Sequence, residues 1–143
     1  MFKKILVPTD FSKSSRQALI TALKFAQQFN SEIELFHVIE PPRTYSEYTG
    51  YYGSLVPADE MEELAVKALD SALAGIEVGD VRLHKKHVSG KPALEIIEKI
   101  KEDFDLVIMG CRGYGGNAGA ILGSVTQRVL AYSTCPVLVV YSM

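Results

Sequence analysis

The chain has 143 residues, 48% of them hydrophobic and 22% charged, with 15 basic against 17 acidic side chains. That length fits one domain, residues 1–143, and the apolar content excludes a disordered chain. A formal net charge of -2 excludes a global cationic field for nucleic acid or anionic lipid.

In chain order, residues 2–7 form a short apolar run after a basic start and read as a strand. Residues 12–29 carry Ala18, Ala22, Phe25, Ala26 and Phe29 on one helical stripe, with Leu19 and Leu23 beside it and Asn30 as the predicted stop. Residues 33–39 are a second strand. Residues 41–57 break the pattern with Pro41, Pro42, Gly50, Gly53 and Pro57 among Tyr45, Tyr48, Tyr51 and Tyr52. They read as a long irregular connection, either a surface loop or a cover over a ligand or dimer contact. Residues 59–73 place Met61, Leu64, Ala65, Ala68, Leu69, Ala72 and Leu73 at helical spacing, and Gly75 follows as a stop. Residues 81–88 alternate weakly as a third strand. Pro92 suits the first turn of a helix carrying Leu94, Ile97 and Ile100. Residues 105–109 are a fourth strand. Residues 124–132 form a shorter helix with Val125, Val129 and Leu130 inward, and residues 136–141 a fifth strand. The order β-α-β-α-β-α-β-α-β needs right-handed crossovers. It predicts a three-layer α/β domain around a five-stranded parallel sheet, with helices on both faces.

The two longest charge-free runs, either side of Arg128, are interrupted by Gly, Asn, Ser, Thr and Pro136. Neither supplies the roughly 20 apolar residues of a spanning helix. The apolar stretch after Lys3 and Lys4 is cut off by Pro8 and Asp10, too early for a signal peptide. Two cysteines, Cys111 and Cys135, make no disulfide framework, so the expectation is a reduced, cytoplasmic protein.

The chemistry concentrates where strands end, because open α/β sheets bind ligands beyond their carboxyl ends. The first strand ends in Val7-Pro8-Thr9-Asp10. The fourth ends in Met109-Gly110 and enters a loop in which six of the eleven glycines lie between Gly110 and Gly123. Ser124 then starts the last helix. The free amides of Ser124, Val125 and Thr126, with the helix dipole, suit an anion. The plainer reading is a loop closed by Ser124 as an ordinary N-cap. The P-loop signature is absent. Gly113-Tyr114-Gly115-Gly116-Asn117-Ala118 satisfies G-x-G-x-x-A, but it follows the fourth strand and not the first, so the match reads as chance.

The stretches Lys4-Ile5-Leu6-Val7-Pro8-Thr9-Asp10-Phe11-Ser12, Asp105 through Gly113, and Leu122-Gly123-Ser124-Val125-Thr126 resemble the universal stress protein family. Cys135-Pro136-Val137-Leu138-Val139-Val140 extends the likeness to the end of the chain. Gly110, Gly113, Gly123 and Ser124 stand at the spacing of the family's G-x2-G-x9-G-[ST] motif, which marks its ATP-binding branch. The resemblance implies a Rossmann-like fold and an adenine nucleotide: ATP, or AMP or ADP, with Mg²⁺ or Mn²⁺. Gly110, Gly113, Gly123, Ser124, Val125 and Thr126 would line ribose and phosphates, facing Pro8, Thr9 and Asp10. Val38 would offer backbone groups to adenine, and Met109 would lie beneath the nucleoside. Asp10 would face the phosphates through the cation; its plainer roles are capping the first helix or pairing with a lysine. Many relatives carry basic residues between the second and third motif glycines. Here Tyr114 to Leu122 has none, leaving Arg112 as the nearby cation.

One motif carboxylate and one arginine fall short of a phosphoryl-transfer site. His84 and His87 flank Lys85 and Lys86 on opposite sides of a strand and read as a polar edge. His37 reads as a satisfied histidine in an apolar strand. The expectation is a regulatory switch in stress response with no catalytic residues and at most weak ATPase activity. The resemblance further implies a homodimer through the last strand, and an unidentified regulatory partner is expected. The competing reading is a dimeric adaptor of the same fold that takes no nucleotide.

Overall fold

The computed structural model describes residues 1–40, 58–112 and 122–142. The Tyr-rich connection at 41–57 and the glycine-rich stretch at 113–121 lie outside the described residues. The elements are β1 (Lys4–Pro8), α1 (Lys13–Phe29), β2 (Glu32–Ile39), α2 (Ala58–Ala72), β3 (Leu83–Ser89), α3 (Pro92–Ile100), β4 (Leu106–Arg112), α4 (Ser124–Tyr132) and β5 (Val137–Ser142). This is the predicted alternation. The strands form one parallel sheet in the order β3-β2-β1-β4-β5. No helix among the described residues is long and apolar enough to cross a membrane, and no disulfide joins Cys111 to Cys135.

Local chemistry sets the helix ends. The Ser15 amide donates to the Ser12 hydroxyl at 3.3 Å, so Ser12 caps α1. Asn30 stops α1 in the left-handed conformation at φ 54°, its N–H reaching the Ala26 carbonyl. Pro92 supplies the preset φ of the first α3 position.

Strand alternation divides the core. Ile5, Val7, Ile33, Leu35 and Ile108 pack against Ala18, Leu19 and Ala22 of α1 and Leu69 of α2. Leu6, Phe36, Val38, Val107 and Met109 face Ile96 and Ile100 of α3 and Val129 of α4. Cover on both faces is why these strands read as unbroken apolar runs.

Leu130, predicted to face inward, is exposed, and so are Phe29, Leu64 and Leu94 of the predicted apolar patterns. In α3 the buried set is Ala93, Ile96 and Ile100, spaced three and four apart. Leu94 lies one residue, about 100° of helix, off that line. The large side chain drew the prediction, while the small Ala93 makes the contact. In α2 and α4 the predicted stripes were too wide: Ala65 and Val129 are buried as expected, while Leu64 and Leu130 beside them are exposed.

Glu34, buried on the α3 side, lies 3.2 Å from the Lys99 ammonium, which also meets Glu102 at 2.7 Å. The Glu34 contact is an ion pair without hydrogen-bond alignment. Burial pushes the Lys99 pKa down, but the two carboxylates outweigh it and hold it above its ordinary value.

At the carboxyl end of β4, Gly110 meets the first turn of α1. A Cβ there would lie 2.2 Å from the Ser14 carbonyl oxygen and 2.7 Å from the Ser15 nitrogen. Backbone atoms cannot swing away, so Gly110→Ala is expected to cost about 3 kcal/mol as overpacking. That is a fall of roughly 10 °C in Tm for a domain of this size, measurable by calorimetry. An unchanged Tm would contradict the close approach.

Candidate functional site

The strand order reverses direction beside β1. The chain passes from β1 to β2 and β3 on one side, then returns to place β4 and β5 on the other. Crossover connections therefore diverge above the carboxyl ends of β1 and β4, where a crevice opens. A cleft of about 320 Å³ lies there, within the size range of small-molecule sites.

Its floor is apolar: Phe36 and Val38 from β2, Met109 from β4, Ile96 from α3 and Val125 from α4. Its rim is polar. Thr9 and Asp10 follow β1, Ser14 and Ser15 come from the first turn of α1, Thr126 from that of α4, and Glu40 follows β2. Pro8, His37, Pro92 and Gly110 complete the lining.

The β1–α1 turn is held by its own hydrogen bonds. The Thr9 amide donates to the Phe36 carbonyl at 2.8 Å, fixing the turn to β2. The Thr9 hydroxyl accepts from the Phe11 amide at 3.0 Å and donates to the Ser15 hydroxyl at 3.1 Å. Phe11 itself has φ 65°, a left-handed conformation that a bulky residue adopts at a cost. Its ring lies 4.4 Å from that of His37. The His37 Nδ1 is 2.8 Å from the Thr9 carbonyl oxygen. A carbonyl only accepts, so Nδ1 carries the proton.

Asp10 Oδ1 accepts from the Ser12 amide at 3.0 Å. Burial pushes the Asp10 pKa up, but bonds from the Ser12 hydroxyl and amide and from the Ser15 hydroxyl outweigh it. The net direction is below the ordinary carboxylate value, so Asp10 is ionised at neutral pH. It does not cap α1; Ser12 does.

The start of α4 differs from that of α1. Gly123 occupies the N-cap in extended conformation, with no side-chain hydrogen bond to the helix. Ser124 is thus the first helical residue and not the cap. The first-turn amides have no partners within a helix, and they carry its positive dipole end. Because Val125 and Thr126 line the cleft, that end opens on it. A Cβ on Gly123 would meet none of the described residues within 4 Å, unlike one on Gly110.

Of the residues predicted from sequence, Pro8, Thr9, Asp10, Val38, Met109, Gly110, Val125 and Thr126 come together in the cleft. Gly123 and Ser124 stand at the α4 start without lining it. Arg112 ends β4, and Gly113 lies outside the described residues. The sequence reading missed Ser14, Ser15, Phe36, His37, Glu40, Pro92 and Ile96. Phe36 was within reach, being two residues before Val38 on the same strand face. Among the described residues no cluster of three or more His, Cys, Asp or Glu side chains could hold a metal by itself.

The family model described as "Universal stress protein family" matches residues 1–141. Universal stress protein MJ0531 of Methanocaldococcus jannaschii is 35% identical, covering 98% of this chain and 82% of that protein. The solved structure of hypothetical protein MJ0577, from the same organism, aligns with a TM-score of 0.78 at 32% identity, over 100% of this chain and 98% of that one. A universal stress protein solved in complex with cAMP aligns with a TM-score of 0.66 at 26% identity, over 98% and 97% of the two chains.

The lowered Asp10 pKa has a consequence for stability. A carboxylate whose folded pKa is depressed stabilises the fold above its unfolded pKa, about 3.9, and loses that contribution as pH falls through the folded value. Asp10→Asn is expected to flatten the loss of stability below about pH 4, read from Tm against pH. An acid limb identical to that of the parent chain would contradict the bonding described for Asp10.

Proposed function

The chain belongs to the universal stress protein family, and on that premise we propose that it is an adenine-nucleotide-binding regulatory protein of the stress response, acting in the cytoplasm. The observation that carries the reading is the α4 N-terminus, without a side-chain cap, opening on an apolar cleft across from Asp10. Helix amides grip a phosphate, and the apolar floor accepts a purine. The relative in complex with cAMP supports adenine as the base.

In this reading Val125 and Thr126 line the phosphate end, with Gly123 and Ser124 beside them, Arg112 at the end of β4 as the nearby cation in sequence, and Gly113 following it. Pro8, Thr9 and Asp10 form the facing wall, and Gly110 brings β4 close. Met109 lies beneath the nucleoside, and the Val38 backbone meets the base. ATP would arrive with Mg²⁺ or Mn²⁺. Asp10 fits a cation carried by phosphates: one Oδ1 lone pair is taken by the Ser12 amide, and a single carboxylate with phosphates and water is an ordinary Mg²⁺ environment. With no second carboxylate beside Asp10 in the motif, hydrolysis is slow at most.

A homodimer through β5 belongs to the same reading. β5 ends the sheet order, and Tyr141 on it and Leu130 and Tyr132 on α4 are exposed. An uncovered apolar edge favours pairing with a second copy. The regulatory partner is a further protein. The second reading, an adaptor of the same fold without nucleotide, is favoured by the lack of Lys and Arg from Gly113 to Leu122.

Denaturing the purified protein and chromatographing the supernatant separates the two. Near-stoichiometric adenine nucleotide is expected. Its absence, with none taken up after ATP and Mg²⁺ are added, would favour the adaptor. Gly123→Val is expected to lower nucleotide affinity at least tenfold while Tm stays within a few degrees, because a Cβ there meets no described atom within 4 Å and the branched side chain would crowd a phosphate held on the neighbouring α4 amides. Unchanged affinity would count against this site.

A further inference from the structure

Resting on the adenine-nucleotide reading, we propose that His37 is a positioning residue for the base. Its side chain takes the Thr9 carbonyl at the point where the β1–β2 ladder ends, and this keeps the Val38 amide open to the ligand.

Backbone directions alternate along β2. The Ile33 amide donates to the Arg82 carbonyl, and the Ile39 carbonyl accepts from the Gly90 amide, so the odd-numbered residues bond toward β3. The Phe36 carbonyl accepts from the Thr9 amide, so the even-numbered residues bond toward β1. Val38 is the next even-numbered residue, and its amide is directed to the β1 side. Pairing of β2 with β3 runs on to Ile39 opposite Ser89, whereas pairing with β1 ends at Phe36 opposite Pro8. One further step of that ladder is a bond from the Val38 amide to the Thr9 carbonyl. Among the described residues this bond is not made.

The Thr9 carbonyl has a different donor. The His37 Nδ1 lies 2.8 Å from its oxygen, and Nδ1 carries the proton. The Phe11 ring, 4.4 Å from the imidazole, packs beside it. Thr9 is buried, and a buried carbonyl deprived of its donor is costly to leave unpaired. With the imidazole gone, the Val38 amide is the donor next in the ladder. Thr9, His37 and Val38 all line the cleft, so closing that step would withdraw a main-chain donor from the place assigned to the base.

The full chain, freed of co-purified nucleotide, is compared with His37→Leu and His37→Asn. Leucine has no donor, while the asparagine side chain sets an amide N–H close to the place of Nδ1. Hydrogen exchange at the Val38 amide is followed without ligand, and AMP affinity is measured by calorimetry. In the parent chain Val38 is expected to exchange faster than Phe36 on the same strand until AMP is added. In His37→Leu the Val38 amide is expected to be protected at least about tenfold without ligand. AMP affinity there is expected to fall about tenfold, as for one lost hydrogen bond. His37→Asn is expected to follow the parent in both measurements. A Val38 amide already protected in the free parent chain, or still unprotected in His37→Leu, would overturn the proposal and leave the adenine reading standing. Equal loss of affinity in His37→Asn and His37→Leu would also overturn it, assigning the effect to packing of the ring. If AMP does not bind the parent chain, the functional reading falls and this proposal with it.

Discussion

Where β4 ends, its backbone lies directly on the first turn of α1, and there is no space between them for even a methyl group. A side chain at residue 110 would begin 2.2 Å from the Ser14 carbonyl oxygen. That contact draws the α1 start over the crevice between β1 and β4, and with it the group built on Ser12, Ser14 and Ser15. The Ser15 hydroxyl then accepts from Thr9, Ser12 holds Asp10, and the carboxylate stands ionised at the rim. Without the close approach the β1 turn and the β4 end would not share one cleft.

The opposite wall depends on something left unmade. At α1 the Ser12 hydroxyl caps the helix start by accepting from the Ser15 amide. At α4 the cap is a glycine that offers no side chain. Two helix N-termini therefore meet one cleft with different chemistry, one closed by its own hydroxyls and one available to an anion. Beneath both lies an apolar floor from β2, β4, α3 and α4. This division of labour fits a bound nucleoside with a phosphate at one end.

β1 and β4 were legible because burial on both faces leaves an almost unbroken apolar run, whereas the exposed edge strand β3, Leu83–Ser89, showed only a weak alternation. The start of β1 was the exception. Phe2 reads as strand but sits at φ 54°, its ring 5.5 Å from Phe29 and 6.4 Å from Phe25. The inner faces of α2, α3 and α4 were half legible, because hydrophobicity marks a stripe without telling which edge the sheet touches. Glu34 was passed over within an apolar run; its partner Lys99 is distant in sequence and meets it only through the fold. Of the described motif residues Gly110 lines the cleft, while Gly123 and Ser124 stand at the α4 start beside it; Ser14, Ser15 and Glu40, which share the cleft by topology alone, carried no signal in the sequence. Gly110 was found for a different reason from the one packing gives. Its missing side chain makes room for a helix as well as lining the cleft.

Amide chemical shifts of the ¹⁵N-labelled protein, followed while AMP is added, test the central claim most directly. The account predicts that Val125 and Thr126 at the α4 start move most, with Asp10 and Ser15 across the cleft moving with them. The exposed edge strand β3 should stay in place. Saturable binding that leaves the α4 amides unshifted would contradict it.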